Sequence, residues 1–189
     1  MSIRRLLLSA LVLVVLFSPY GAAQPPEKVA TPPAGSLVPE MARLAEALVG
    51  DWNTSETMEH TQFFPNGGSR RGFVHVRLAA EGTVLMYEVN SNGSAGKLNG
   101  FLTIWWDAPA HVFHLFICFN NPKNPCRMSG TGHWEVDTFV NDYEETVEGK
   151  PTQWRDSFTF TPTSHTLVAA LDAGHCKMKT IITTRATRR

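Results

Sequence analysis

The rhythm of the chain changes at Leu48-Val49-Gly50-Asp51-Trp52. Ahead of that point Leu37, Met41, Leu44, Ala45 and Leu48 recur at helical spacing, with Glu40, Arg43 and Glu46 elsewhere on the wheel. This is the pattern of one amphipathic helix. Ser36 stands where an N-cap belongs, and Gly50 is well placed to end the helix. Beyond Trp52 the apolar period falls close to two and stays there almost to the C-terminus. A helix, then Gly-x-Trp, then a long antiparallel run points to an all-β chain: a small closed or nearly closed barrel. The helix would pack on the barrel's side or close one end.

The strands can be read one by one. Val74, Val76 and Leu78 alternate with Phe73, His75 and Arg77, and Glu81-Gly82 marks a turn. Leu85, Tyr87 and Val89 follow, and Asn92-Gly93 with Gly96 marks the next reversal. Phe101 to Trp106 and Val112 to Phe119 are apolar on both faces, with Ala108-Pro109-Ala110 between them. Strands of that kind are buried on both sides, so their outer surface is expected beneath the helix or another layer. Met128 to Val136 holds Gly130 and Gly132, which predicts a sharply bent or bulged strand. Further strands are expected near Phe139–Val147, Thr152–Phe160, Thr166–Leu171 and Lys177–Thr184. Gly149-Lys150-Pro151, Pro162-Thr163-Ser164 and Ala173-Gly174 separate them. With Trp52–Glu59 the count is roughly ten strands, at the even spacing of a barrel or sandwich.

Residues 1–23 have the form of a secretory signal peptide. Arg4 and Arg5 supply a positive start, and Leu6 to Phe17 is an apolar stretch shorter than the roughly 20 residues that span a bilayer. Gly21-Ala22-Ala23 supplies small residues for cleavage. Residues 24–36, with Pro25, Pro26, Pro32 and Pro33, read as an extended linker. Residues 37–189 are then a single domain, expected outside the cytoplasm, in a periplasm or beyond the cell. Losing Arg4 and Arg5 moves a formally neutral chain slightly acidic. With no basic run apart from Arg185, Arg188 and Arg189 at the tail, nucleic acid is not an expected partner. No membrane association is expected after signal cleavage, and nothing in the chain specifies an oligomeric state.

Cys118, Cys126 and Cys176 would meet an oxidising compartment. Cys118 and Cys126 flank the segment from Phe119 to Pro125, so a disulfide there would staple a hairpin, contributing roughly 2–3 kcal/mol if unstrained. The alternative is that Cys118 is an inert core thiol. An odd count leaves the third thiol unpaired or bridging to another chain.

Leu48, Gly50 and Trp52, the Asp107 that closes the Ile104-Trp105-Trp106 strand, and the antiparallel succession after them carry a resemblance. From about Leu37 to Arg185 the chain resembles the calycin-type barrels, and specifically a bacterial group of secreted, lipocalin-like proteins. The resemblance implies that Trp52 packs across the closed end of the barrel, with Gly50 beside it. The nitrobindin branch is similar in outline and binds haem within ten strands. This chain keeps Gly50-x-Trp52 but lacks the glycines expected after that Trp and the late-strand haem-ligating His. No cofactor is expected, haem included.

Residues with chemistry are sparse. His111 and His114, three apart on a strand, face opposite sides and cannot share a metal. His175-Cys176 offers soft ligands, but no paired zinc or haem-attachment spacing accompanies it, so no metal site is predicted. Asp142, Glu144, Glu145 and Glu148 form the main acidic group, which a solvated strand face explains. The aromatic set is the stronger lead. Trp105, Phe113, Phe116, Trp134, Trp154 and Phe158 would line a lumen of the kind that holds small apolar ligands, and Arg155 or Arg77 would meet an anionic head group at its mouth. Three functions stay open: a barrel binding a small hydrophobic or amphipathic ligand; an enzyme working in the lumen through His133, Glu135 and His114; and a filled barrel that acts through its outer surface.

Overall fold

The computed structural model describes residues 37–121, 125–147, 149–173 and 177–189. The signal-peptide and linker assignments and His175-Cys176 lie outside the described residues, and the helix has Val38, not the expected Ser36, at its N-cap, with no side-chain cap bond. The helix, α1, runs over Pro39–Leu48, and ten strands follow it. The first five are β1 (Gly50–Met58), β2 (Gly68–Ala79), β3 (Val84–Gly93), β4 (Leu98–Asp107) and β5 (Val112–Phe119). After them come β6 (Cys126–Glu135), β7 (Thr138–Val147), β8 (Lys150–Thr161), β9 (Ser164–Asp172) and β10 (Met178–Arg188). Each strand pairs antiparallel with its neighbours in sequence, and β1 pairs with β10, so the sheet closes into a barrel without edges.

Alternation decides which side chains enter the barrel. Along β1 Trp52, Thr54, Glu56 and Met58 are buried, while Asp51, Asn53, Ser55 and Thr57 are exposed. One end of the lumen is solid. Trp52, Leu85, Ile104, Phe113, Phe139 and Ala186 meet there, and Met41, Leu44, Ala45 and Leu48 of α1 complete the cluster. The helix starts on Pro39, whose missing N–H costs nothing in the first turn. Its last bond runs from the Val49 N–H to the Ala45 carbonyl. The Trp52 indole N–H donates to the Leu48 carbonyl at 2.8 Å, and the Arg188 guanidinium lies 4.6 Å from the Trp52 ring centre. Trp52 therefore ties helix to barrel at the closed end.

Two local expectations change. Phe101, Thr103, Trp105, His114 and Phe116 point outward and are half-buried. They shield one another, as the Trp105 and His114 rings do at 5.4 Å; α1 instead caps the lumen end. Lys150 and Pro151 belong to β8, opposite Val147 and Thr146, so the turn before that strand is shorter than its Gly-Lys-Pro signal suggests.

The bulge expected in β6 is present. Two steps along β5, His114 to Phe116, face three along β6, Thr131 to Met128. Gly130 takes φ +69°, and a Cβ there would lie 2.0 Å from the Asp142 carbonyl oxygen, so only glycine fits. Cys118 and Cys126 are directly opposed beside the bulge and are disulfide-bonded.

Candidate functional site

Between the packed end and the opposite mouth the barrel encloses a chamber of about 460 Å³. Its size follows from what points inward. Over the closed end the inward residues are apolar and packed together; nearer the mouth polar and charged side chains share the wall with apolar ones. Val74, Leu102, Leu115, Phe158 and Leu167 give the chamber an apolar half. Phe63 and Phe64, from the β1–β2 connection, lie at the mouth with Lys97, Asn120 and Asn121. The Phe63 ring meets Trp154 edge-on at 5.1 Å. The Thr61 hydroxyl accepts from the N–H groups of Phe63 and Phe64, both at 3.2 Å, which gives that connection a defined shape.

The polar half has an internal order. On one side Arg70 Nε donates to Glu56 Oε2 at 2.6 Å, and both side chains are about nine-tenths buried. On the other, Arg127 is bonded to Glu145. Arg127 is inward only because of the bulge: Gly132 and Trp134 face the lumen on one side of it, Ser129 and Arg127 on the other. A regular β6 would turn Met128 in and Arg127 out.

The wall formed by β7 and β8 holds Asn141, Tyr143, Trp154 and Asp156. Asn141 and Asp156 are directly opposed in register. The Tyr143 hydroxyl donates to Asp156 Oδ1 at 3.4 Å, and the Tyr143 and Trp154 rings stack at 6.1 Å. Asn141 is fully buried; its amide lies opposite the Asp156 carboxyl, and its amide oxygen has no hydrogen-bond partner among the described residues. The same is true of the Trp154 indole nitrogen and the Thr54 hydroxyl. Burial pushes the Asp156 carboxyl up to about 7. Burial also raises the phenols of Tyr87 and Tyr143, each with a nearby carboxylate adding to the effect, so both act as neutral hydrogen-bonding groups.

The aromatic residues expected in the lumen divide. Trp154 and Phe158 line the chamber. Phe113 and Trp134 face inward but belong to the packed end, where Phe139 lies 5.2 Å from the first ring and 5.4 Å from the second. Arg43 of α1 covers Trp134 at 3.9 Å. Trp105 and Phe116 are corrected to the outer face; each is one residue out of phase with an inward neighbour, Ile104 and Leu115. Arg155 is also outside, held by Asp142 at 2.7 Å and Glu135 at 3.3 Å. Arg77 is beside Glu88 at 3.6 Å on the same outer surface.

His133 and Glu135 are within 3.2 Å of each other, but both face solvent. His114 is on the outer face too, bonded to Asp107 at 3.0 Å, and that bond is the chief reason the Asp107 carboxyl titrates below its ordinary range. The three residues named for lumenal catalysis thus do not enter the lumen. No histidine lines the chamber among the described residues, and no cluster of three or more His, Cys, Asp or Glu with metal-site spacing occurs among them.

The residues that sequence reasoning missed are Glu56, Arg70, Arg127, Asn141 and Asp156. Glu56 shares its phase with Trp52, and Asp156 with Trp154 and Phe158, so phase alone could have found them. Arg127 was hidden by the bulge.

No protein-family model matches the chain, and no curated protein matches it. Among solved structures it is similar to a redesigned β-barrel, mFAP0, determined bound to DFHBI. That likeness covers 75% of this chain and 98% of the other, at 15% identity and a TM-score of 0.41.

Proposed function

We propose that this protein is a container: an exported barrel that holds a small amphipathic molecule in its lumen. The observation that carries the reading is the chamber of about 460 Å³, within the range of small-molecule sites. Its apolar half offers Leu102, Leu115 and Phe158, and its polar half presents Asn141 and Trp154 with hydrogen-bonding atoms unused by the protein. Buried polar atoms of that kind are costly unless something bonds to them. A purely hydrophobic guest would leave them unmet, so an amphipathic one fits better. Export rests on Arg4, Arg5 and the apolar stretch Leu6 to Phe17. A lipocalin-like assignment rests on Gly50-x-Trp52 at the closed end beneath a helix.

Titration with the neutral fluorophore N-phenyl-1-naphthylamine tests this. Ala169 lines the chamber and is buried, so Ala169→Trp should fill it. The reading predicts saturable one-to-one binding, at least tenfold weaker in the folded Ala169→Trp variant. Absence of saturable binding, or equal binding by that variant, contradicts it.

A further inference from the structure

Charge inside the lumen is almost balanced, and the imbalance has one address. Arg70 is matched by Glu56 and Arg127 by Glu145. Lys97 is exposed at the rim. Asp156 lines the chamber, and among the described residues no basic side chain forms an ion pair with it. Its hydrogen-bonding neighbours there are neutral: Tyr143 donates to it over a long 3.4 Å, and the Asn141 amide lies opposite it and favours its ionised form.

What surrounds Asp156 is equally specific. Tyr143 and Trp154 stack beside it, Phe63 meets Trp154 from the mouth, and Phe158 follows along the same strand face. Aromatic faces attract organic cations through their ring quadrupoles, and more strongly where water is excluded. Directly opposite in register, the fully buried Asn141 amide oxygen accepts no hydrogen bond. A primary ammonium has three donors and no acceptor. Here it would meet a carboxylate, an amide oxygen and a ring face on one wall. A carboxylate head group would find both lumenal guanidiniums already engaged.

We propose that the chamber takes a small organic monocation, an amine with an apolar or aromatic body, with its ammonium on Asp156 and Asn141 and its body against Trp154 and Phe158. This rests on the container reading and deepens it. The groups facing Asp156 are Asn141, Tyr143 and Glu145 on β7 and Arg127 on β6. With its carboxyl raised to about 7 by burial, Asp156 is protonated at pH 5.5 and ionised at pH 8. An aliphatic amine stays cationic across that range. Amine affinity should therefore rise with pH as Asp156 loses its proton.

Three probes of one shape separate the possibilities: tryptamine, neutral indole-3-acetamide and anionic indole-3-acetate. Calorimetry on the wild-type protein at pH 8 should show tryptamine binding at least tenfold more tightly than either of the others. Lowering the pH to 5.5 should weaken tryptamine at least tenfold and leave the acetamide unchanged. Asp156→Asn should remove the preference for tryptamine, with retained acetamide binding reporting that the variant is folded. Trp154→Phe gives a second reading, weakening tryptamine more than acetamide. Equal affinity of wild type for tryptamine and acetamide, preference for acetate, or an unaltered preference in Asp156→Asn overturns the proposal. If N-phenyl-1-naphthylamine still binds inside the lumen, the container reading survives that failure; if no probe binds, both fall.

Discussion

Arg155 and Asp156 are neighbours in sequence and lie on opposite faces of the sheet. Arg155 is bonded to Asp142 on the outer surface, whereas Asp156 faces the lumen and is forced towards the neutral state. His165 has the opposite problem at the closed end: it is 1% exposed, packed edge-on against Trp52 at 4.6 Å, and burial holds its imidazole down to about 4. The two groups act on stability with opposite signs. Asp156 keeps a proton in the folded state that the unfolded chain releases above about 3.9, so its contribution falls as pH rises from there towards 7. The unfolded chain protonates His165 below about 6.5, so its contribution falls as pH drops from there towards 4. Across that overlap the slopes oppose each other. Thermal melts from pH 4 to 8 should show Asp156→Asn more stable than wild type at pH 8, with the advantage vanishing near pH 4. His165→Leu should lose the acid-side decline. Parallel curves for wild type and either variant would contradict the burial assigned to that residue. At this scale the sequence was half legible. Trp154 and Phe158 were named from their aromatic character and Arg155 from its charge, while Asp156 went unnamed because a lone carboxylate in a strand forms no motif. Strand phase puts Arg155 outside and Asp156 within.

The decisive element is β6. Its bulge was legible because Gly130 and Gly132 stand among Trp134 and Val136 in the expected strand. Its consequence was not, since a shift of one residue exchanges the two faces of everything beyond it. That shift brings Ser129 and Arg127 into the lumen and leaves Met128 53% exposed outside. Gly130→Ala tests this directly, because its Cβ would meet the Asp142 carbonyl at 2.0 Å and its φ is left-handed. The cost should exceed the ~1–2 kcal/mol of a left-handed alanine alone. Gly149→Ala supplies the comparison, with φ +77° and nothing within 4 Å of its added Cβ. Denaturant unfolding should show Gly130→Ala clearly less stable than Gly149→Ala, and probe binding should weaken only in the former. Equal effects would mean that the bulge does not shape the lumen. Strands β4 and β5 teach a second lesson. Apolar residues on both faces implied a covering layer, but the outward Phe101, Trp105 and Phe116 are shielded only in part, by their own neighbours.

For the molecule as a whole, period-two alternation and turn residues carried the architecture: a helix and then ten antiparallel strands, closed by pairing β1 with β10. The chamber was not legible, because its existence depends on how all the inward side chains fill the lumen together, and no local motif encodes that sum. The central claim is that this space, and not the half-exposed aromatic outer face, receives the guest. The chain has five tryptophans, of which Trp154 lines the chamber and Trp105 lies outside. Their indole N–H signals can be followed by nitrogen-15 NMR, assigned with single Trp→Phe variants, during titration with N-phenyl-1-naphthylamine. The account predicts a saturable shift of the Trp154 signal while that of Trp105 stays in place. A shift confined to Trp105, with Trp154 unmoved, would contradict it.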